Sequence, residues 1–142
     1  AVPVAIVRDS VKPISDQKAE FFYLKEINGE NVENSRGVTL VSNQGRGFMM
    51  TPEVVERNVP AAATSYTIEG RTEYAAPILA FSNKVFRIGG KVSVSLAPYR
   101  TYVVQGVLDE SHSAVWIEDI ETHEIVGKLE ESGSTELKWY EK

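Results

Sequence analysis

Residues 64–74, TSYTIEGRTEY, carry the clearest strand pattern in this chain. Apolar or small side chains alternate with polar ones, and the polar positions include Ser65, Glu69 and Arg71. Successive side chains of a β-strand point to opposite faces, so a period of two over about ten residues predicts a half-buried strand.

The same alternation recurs along the chain. Strands are predicted at 21–27, 38–41, 92–96, 102–108, 114–117 and 125–129, with weaker candidates at 48–50 and 78–81. A helix from Ser15 competes with the strand at 21–27, but the adjacent Phe21 and Phe22 favour the strand. Many short strands without a sustained helix predict an all-β chain, an antiparallel β-sandwich of about seven to nine strands.

Turn residues separate these strands. Asn28-Gly29 supplies the two positive φ angles of a type I′ hairpin turn, and Pro98 is suited to a turn between two strands. His123 is predicted in a left-handed position at the end of the hairpin turn 119–124, because histidine tolerates positive φ. Residues 51–53, Thr-Pro-Glu, predict one helical turn through residues 54–57.

The length of 142 residues fits one domain. Residues 1–18 are predicted to form an N-terminal arm, in which Val2, Val4 and Ile6 can add an edge strand. The core sandwich is predicted over residues 19–129. Residues 130–142 form a tail or a final strand, and the strand is favoured because Leu137 and Trp139 share one face.

Composition excludes several classes of protein. The absence of cysteine excludes disulfides, cysteine-ligated metals and thiol catalysis. A net charge of −5 argues against nucleic acid as a partner. No apolar run approaches the ~20 residues of a membrane span. The start at Ala1 resembles a signal-peptidase product, which predicts a periplasmic or secreted protein, with a lipid anchor upstream as a further option.

Three stretches carry a resemblance to a known group of proteins. They are residues 22–29 (FYLKEING), residues 59–70 (VPAAATSYTIEG), and residues 92–104 (VSVSLAPYRTYVV) with 113–119 (SAVWIED). Together they resemble small bacterial envelope proteins, often lipoproteins. The resemblance implies an immunoglobulin-like or transthyretin-like sandwich and no catalytic residues. Ala62 and Tyr99 stand where that pattern usually has glycine.

Chemistry is sparse in the sequence. The chain has two histidines, His112 and His123, which lie at opposite ends of the predicted strand at 114–119 and therefore cannot meet. Two kinds of chemical site remain as alternatives. One is a hydrolase site at Ser111 and His112, and the other is a Ca²⁺ site among the carboxylates of residues 118–124. The prediction is that the chain is not an enzyme and has no catalytic residue, no metal ligand and no cofactor.

Binding is the favoured activity. The candidate interaction surface is Trp116, Tyr99, Arg100 and Tyr102, although Trp116 is favoured as a core residue. The predicted function is an envelope accessory or protein-interaction module whose partner is another envelope protein; the alternatives are a carbohydrate-binding module and a small hydrolase. An interaction module should expose an apolar patch or an open strand edge. A glycan site needs coplanar exposed aromatics, and a hydrolase needs a pocket where histidine meets carboxylate.

Overall fold

Two β-sheets pack against each other and enclose the core. The computed structural model describes residues 3–42 and 54–142. The strands in this part of the chain are β1 (Val4–Arg8), β2 (Ser10–Ser15), β3 (Lys18–Ile27), β4 (Glu30–Asn31), β5 (Glu56–Pro60), β6 (Ala63–Tyr74), β7 (Arg87–Ser95), β8 (Thr101–Leu108), β9 (His112–Asp119) and β10 (Ile125–Ser132). The helices are α1 (Ser35–Ser42) and α2 (Pro77–Ser82).

The first sheet has the strand order β10-β9-β8-β1-β5, and the second has the order β2-β3-β6-β7 with β4 beside β3. Every pairing is antiparallel except that of β1 with β8, which is parallel. The predicted all-β sandwich is therefore confirmed. The prediction of an edge strand at the N-terminus is wrong, because β1 lies inside the first sheet, between β8 and β5.

The chain passes from the first sheet to the second at Asp9, between β1 and β2. The Asp9 side chain is 1% exposed and accepts two hydrogen bonds from the Arg57 guanidinium, at 3.0 and 2.9 Å. It also accepts the backbone N–H of Leu24 on β3 and of Ser35 at the start of α1. A charge buried this deeply is stable only when it is paired and hydrogen-bonded, and here both conditions are met.

After the chain leaves the first sheet, two side chains of β2 make hydrogen bonds to the backbone of β8. Beyond Arg8 no backbone from β1 pairs with β8, since the register of the two strands ends at Arg8 and Val103. Ser10 Oγ donates to the carbonyl oxygen of Val104, and Lys12 Nζ donates to that of Gly106. These bonds satisfy backbone acceptors that burial would otherwise leave unpaired.

Phe22 joins the two sheets at the centre of the core. Its ring lies against two glycines, Gly70 on β6 and Gly106 on β8. A Cβ atom at Gly70 would lie 2.8 Å from the ring, and one at Gly106 would lie closer still, also pressing on the Ala114 carbonyl oxygen. Both glycines are therefore required by close packing rather than by a turn.

The outer face of the second sheet carries a smaller buried cluster, formed by Ala19, Phe21 and Tyr23. The Tyr23 hydroxyl donates to Glu69, which also accepts a hydrogen bond from Arg87. Burial, followed by the nearby Glu69 carboxylate, raises the pKa of Tyr23 well above its usual value, so it remains a neutral donor.

Two segments predicted as strands are helices. Residues 38–41 lie in α1, where Asn34 Oδ1 accepts the backbone N–H of Gly37 at 2.9 Å and so caps the helix. Residues 78–81 lie in α2, which begins at Pro77, a favourable first position. The helical turn predicted at residues 54–57 is also wrong, since Glu56 begins β5. The weak strand predicted at 48–50 falls outside the described residues.

The C-terminal segment is neither a loose tail nor a full strand. After β10, it makes a single antiparallel bridge between Glu136 and Phe86, and the Leu137 N–H donates to the Val85 carbonyl. The Arg71 guanidinium also donates to the carbonyl oxygen of Lys142. Trp139 is nevertheless 72% exposed, so its predicted role on a packed strand face is wrong.

Replacing Asp9 by Asn should lower the free energy of unfolding by about 3–5 kcal/mol, because the Arg57 charge would lose its partner in a buried place. Urea denaturation measures the change. Glu56→Gln is the matched control. It breaks the exposed ion pair between Arg8 and Glu56, the residues next to Asp9 and Arg57 in the chain, and should cost less than about 1 kcal/mol. Equal costs for the two variants would contradict the proposed importance of Asp9.

Replacing Gly106 by Ala should lower the free energy of unfolding by about 1–3 kcal/mol, since the new methyl group would collide with Phe22 and with backbone. Thermal and urea denaturation measure the change. Gly37→Ala is the control. Gly37 is exposed in α1 with no atom closer than 3.5 Å to an added Cβ, so alanine should stabilise the chain by about 0.5–1 kcal/mol.

Candidate functional site

The turn between β7 and β8 holds two of the four residues predicted as an interaction surface. Tyr99 has φ 64°, in the left-handed region, and its side chain is 85% exposed. A tyrosine in this conformation costs roughly 1–2 kcal/mol relative to glycine, and an exposed ring recovers little of that by packing. The tyrosine at this position is therefore not explained by the stability of the turn.

Arg100 lies beside Tyr99 and is held in place. Its Nε donates to Asp119 Oδ2, and its Nη2 lies 3.8 Å from Glu121 Oε2. Asp119 Oδ1 accepts the backbone N–H groups of Glu121 and Thr122, at 2.9 and 3.1 Å. The Arg100 hydrogen bond and these amides hold the pKa of the Asp119 carboxyl well below its usual value.

The other two predicted surface residues lie elsewhere. Tyr102 is a core residue, 3% exposed, and its hydroxyl accepts the backbone N–H of Ala97. Trp116 is half-buried on the outer face of β9, because its neighbours Val115 and Ile117 point inward. The favoured core position of Trp116 is therefore wrong. The four residues do not form one surface, and their rings do not form a flat glycan platform.

Trp116 belongs to a polar row on the outer face of the first sheet. Its indole N–H donates to Glu118 Oε1 at 2.9 Å, and Lys128 Nζ lies 5.6 Å from the ring centre. The hydrogen bond from His123, together with that from Trp116, lowers the pKa of Glu118. The ring is thus part of a polar network on the surface of β9 and β10.

The backbones of two residues with exposed apolar side chains, which sequence reasoning missed, lie near the turn that carries Tyr99. The Tyr99 N–H donates to the carbonyl of Val4 at 2.8 Å, and the Ile120 N–H donates to that of Thr101 at 3.0 Å. Val4 is 40% exposed and Ile120 36%. We name Val4, Tyr99, Arg100 and Ile120 the Tyr99 surface. Only the pairing of β1 and β9 with β8 brings its members together, so no local sequence signal could have found it.

Each histidine meets one carboxylate at the surface. His112 Nε2 lies 2.8 Å from Glu130 Oε1, and His123 Nδ1 lies 2.9 Å from Glu118 Oε2. The two histidines lie at opposite ends of β9, as predicted. His123 also has the predicted positive φ, 62°. Within residues 3–42 and 54–142, no hydroxyl group hydrogen-bonds to either imidazole, so neither pair has the nucleophile that a hydrolase requires.

In the acidic turn at residues 118–124, the carboxylates of Glu118 and Asp119 already accept hydrogen bonds. Asp119 accepts Arg100 and two backbone amides, and Glu118 accepts Trp116 and His123. Among the described residues, no group of three or more histidine, aspartate or glutamate side chains is arranged to hold a metal ion. The Ca²⁺ alternative at this turn therefore gains no support from the geometry.

Neither a family model, nor a curated protein, nor a solved structure matches the chain. The two helices of the described residues are each too short to cross a membrane.

The Asp119–Arg100 contact should make stability depend on pH. The folded-state pKa of Asp119 lies below the usual 3.8, so its contribution is complete above about pH 4 and is lost as the pH falls toward the folded-state pKa. The free energy of unfolding of the wild type should fall over this range. Asp119→Asn should be less stable near pH 7 and should show a shallower acid decline, measured by urea denaturation at each pH.

Glu131→Gln is the control for this experiment. Glu131 is exposed on β10, and its carboxylate makes no hydrogen bond or ion pair with the described residues. Its substitution should leave the acid decline unchanged. The assignment is overturned if Asp119→Asn declines with acid as steeply as the wild type.

Proposed function

We propose that this chain is a protein-interaction module without catalytic chemistry, and that it binds a partner protein through the Tyr99 surface. The observation that carries the proposal is Tyr99 itself, a large aromatic side chain that is almost fully exposed on a strained turn. Strained residues persist when something other than local stability retains them, and function is the usual reason.

The composition of the Tyr99 surface supports a protein partner. Tyrosine and arginine are over-represented among the residues that dominate the energy of protein interfaces. Tyr99 has few rotatable bonds, and Arg100 is already fixed by Asp119, so both lose little side-chain entropy on binding. Val4 and Ile120 expose apolar side chains on backbone that is hydrogen-bonded to Tyr99 and Thr101.

The location in the cell belongs to the same proposal. A periplasmic or secreted module that binds another envelope protein is supported by the resemblance of its turn motifs to those of small bacterial envelope proteins. A glycan ligand is not favoured. Among the described residues, the one pair of rings in contact is Trp139 and Tyr140, and these stand at 89° to each other and offer no flat platform.

Tyr99→Gly separates binding from folding. Glycine relieves the positive φ, so the free energy of unfolding should rise by about 1 kcal/mol, while binding should be lost with the ring. The measurement is quantitative capture from a bacterial envelope extract on immobilised wild-type and variant chains, with urea denaturation of each. Tyr140→Gly, which removes another exposed tyrosine, is the control and should leave capture unchanged.

Two results count against the proposal. The first is that wild type and Tyr99→Gly capture the same proteins in the same amounts, or that neither captures a specific protein. The second is that Tyr99→Gly is less stable than the wild type, which would mean that the ring serves the fold.

A further inference from the structure

The outer edge of β7 carries backbone groups without a partner among the described residues. β7 ends the second sheet, and β6 is its only neighbouring strand among the described residues. The Thr72 N–H donates to the Phe86 carbonyl at 3.0 Å. The backbone N–H and C=O groups of even-numbered residues of β7 therefore point toward β6, and those of odd-numbered residues point away from it. In the described residues, nothing pairs with the outward backbone groups of Gly89, Lys91, Ser93 and Ser95.

The three other sheet edges carry features that block strand pairing. β2 contains Pro13, β5 is five residues long and ends at Pro60, and β10 has an irregular register between Ile125 and Gly127. β10 also exposes three charged side chains, Lys128, Glu130 and Glu131. Proline, bulges and charges are the usual protection of exposed edges. β7 is nine residues long and has neither proline nor an irregular register. Its charged residues are Arg87 and Lys91.

The start of this edge already accepts an added strand from the chain itself. The Arg87 N–H donates to the Thr135 carbonyl at 3.2 Å, and an antiparallel bridge joins Phe86 to Glu136. The edge is therefore shaped for antiparallel pairing. The chain's own segment pairs only with the first residues of this edge. From Gly89 onward no described residue makes a backbone hydrogen bond to it, and β10 packs against the inner face of the strand.

The side chains of β7 define what would fit. On the inner face, Val92 and Val94 are half-buried and pack near the core at the corner shared with β10. On the outer face, Lys91 is exposed without an ion-pair partner in the described residues, whereas Arg87 is neutralised by Glu69. A second copy of this chain offers Lys91 no opposite charge, because centred antiparallel pairing of two 89–95 segments would set Lys91 opposite Ser93.

We propose that an extended segment of a partner protein, with apolar residues alternating with acidic ones, adds to β7 as an antiparallel strand. Its backbone would pair with the outward groups between Gly89 and Ser95. Its apolar side chains would cover Val92 and Val94, and an acidic side chain would lie opposite Lys91. This site is separate from the Tyr99 surface, so either proposal can fail without the other.

Two labelled synthetic peptides test the proposal by fluorescence anisotropy: one alternating valine with glutamate, and one of equal length alternating valine with lysine. The acidic peptide should bind the wild type about ten-fold more tightly, and Lys91→Glu should reverse that preference. Lys138→Glu, an exposed charge change outside β7, is the control and should leave the preference intact.

Blocking the backbone separates strand addition from simple charge attraction. Ser93→Pro removes one outward N–H without touching the pairing to β6, and it should abolish binding of both peptides. If that variant does not fold, two N-methylated forms of the acidic peptide serve instead. One carries N-methyl groups on its odd-numbered amides and the other on its even-numbered amides. The form whose methylated amides face β7 should fail to bind. The proposal is overturned if the acidic peptide does not bind, if the two peptides bind equally, or if backbone blocking has no effect. A wild-type dimer that Ser93→Pro abolishes would assign the edge to a second copy and also overturn it.

Discussion

The ion pair between Asp9 and Arg57 is the contact on which the arrangement of both sheets depends. Asp9 lies where the chain crosses from the first sheet to the second, and its four hydrogen bonds reach β3, β5 and the start of α1. A buried carboxylate has a high cost of desolvation, so it can exist only where all these partners converge. The crossing point, the edge strand β5 and the helix are consequently fixed relative to one another.

The crossing at Asp9 also determines which surfaces stay open. Because β1 inserts beside β8, Val4 is brought next to the turn that carries Tyr99. Because β2 continues into the second sheet and covers one side of β3, the other side of that sheet ends at β7. The Tyr99 surface and the β7 edge are therefore both consequences of the same strand exchange, at two different places on the sandwich.

Local patterns predicted those parts of the fold that depend on neighbouring residues. The positive φ angles of Asn28, Gly29 and His123 follow from residue type, and the strands β6, β8, β9 and β10 follow from alternation. The helix α1 did not follow, because its β-branched residues favour a strand. Its helical state depends on the Asn34 cap and on Asp9, which lies 26 residues before Ser35.

The all-β class and the main turns follow from the sequence, because period and turn chemistry act over a few residues. Only the tertiary structure decided that Trp116 faces outward, that Tyr102 is buried, and that Val4 and Ile120 accompany Tyr99. The physical reason is that alternation tells two faces of a strand apart but does not say which neighbours cover each face. That depends on strand order and register, which are set by contacts between residues far apart in the chain.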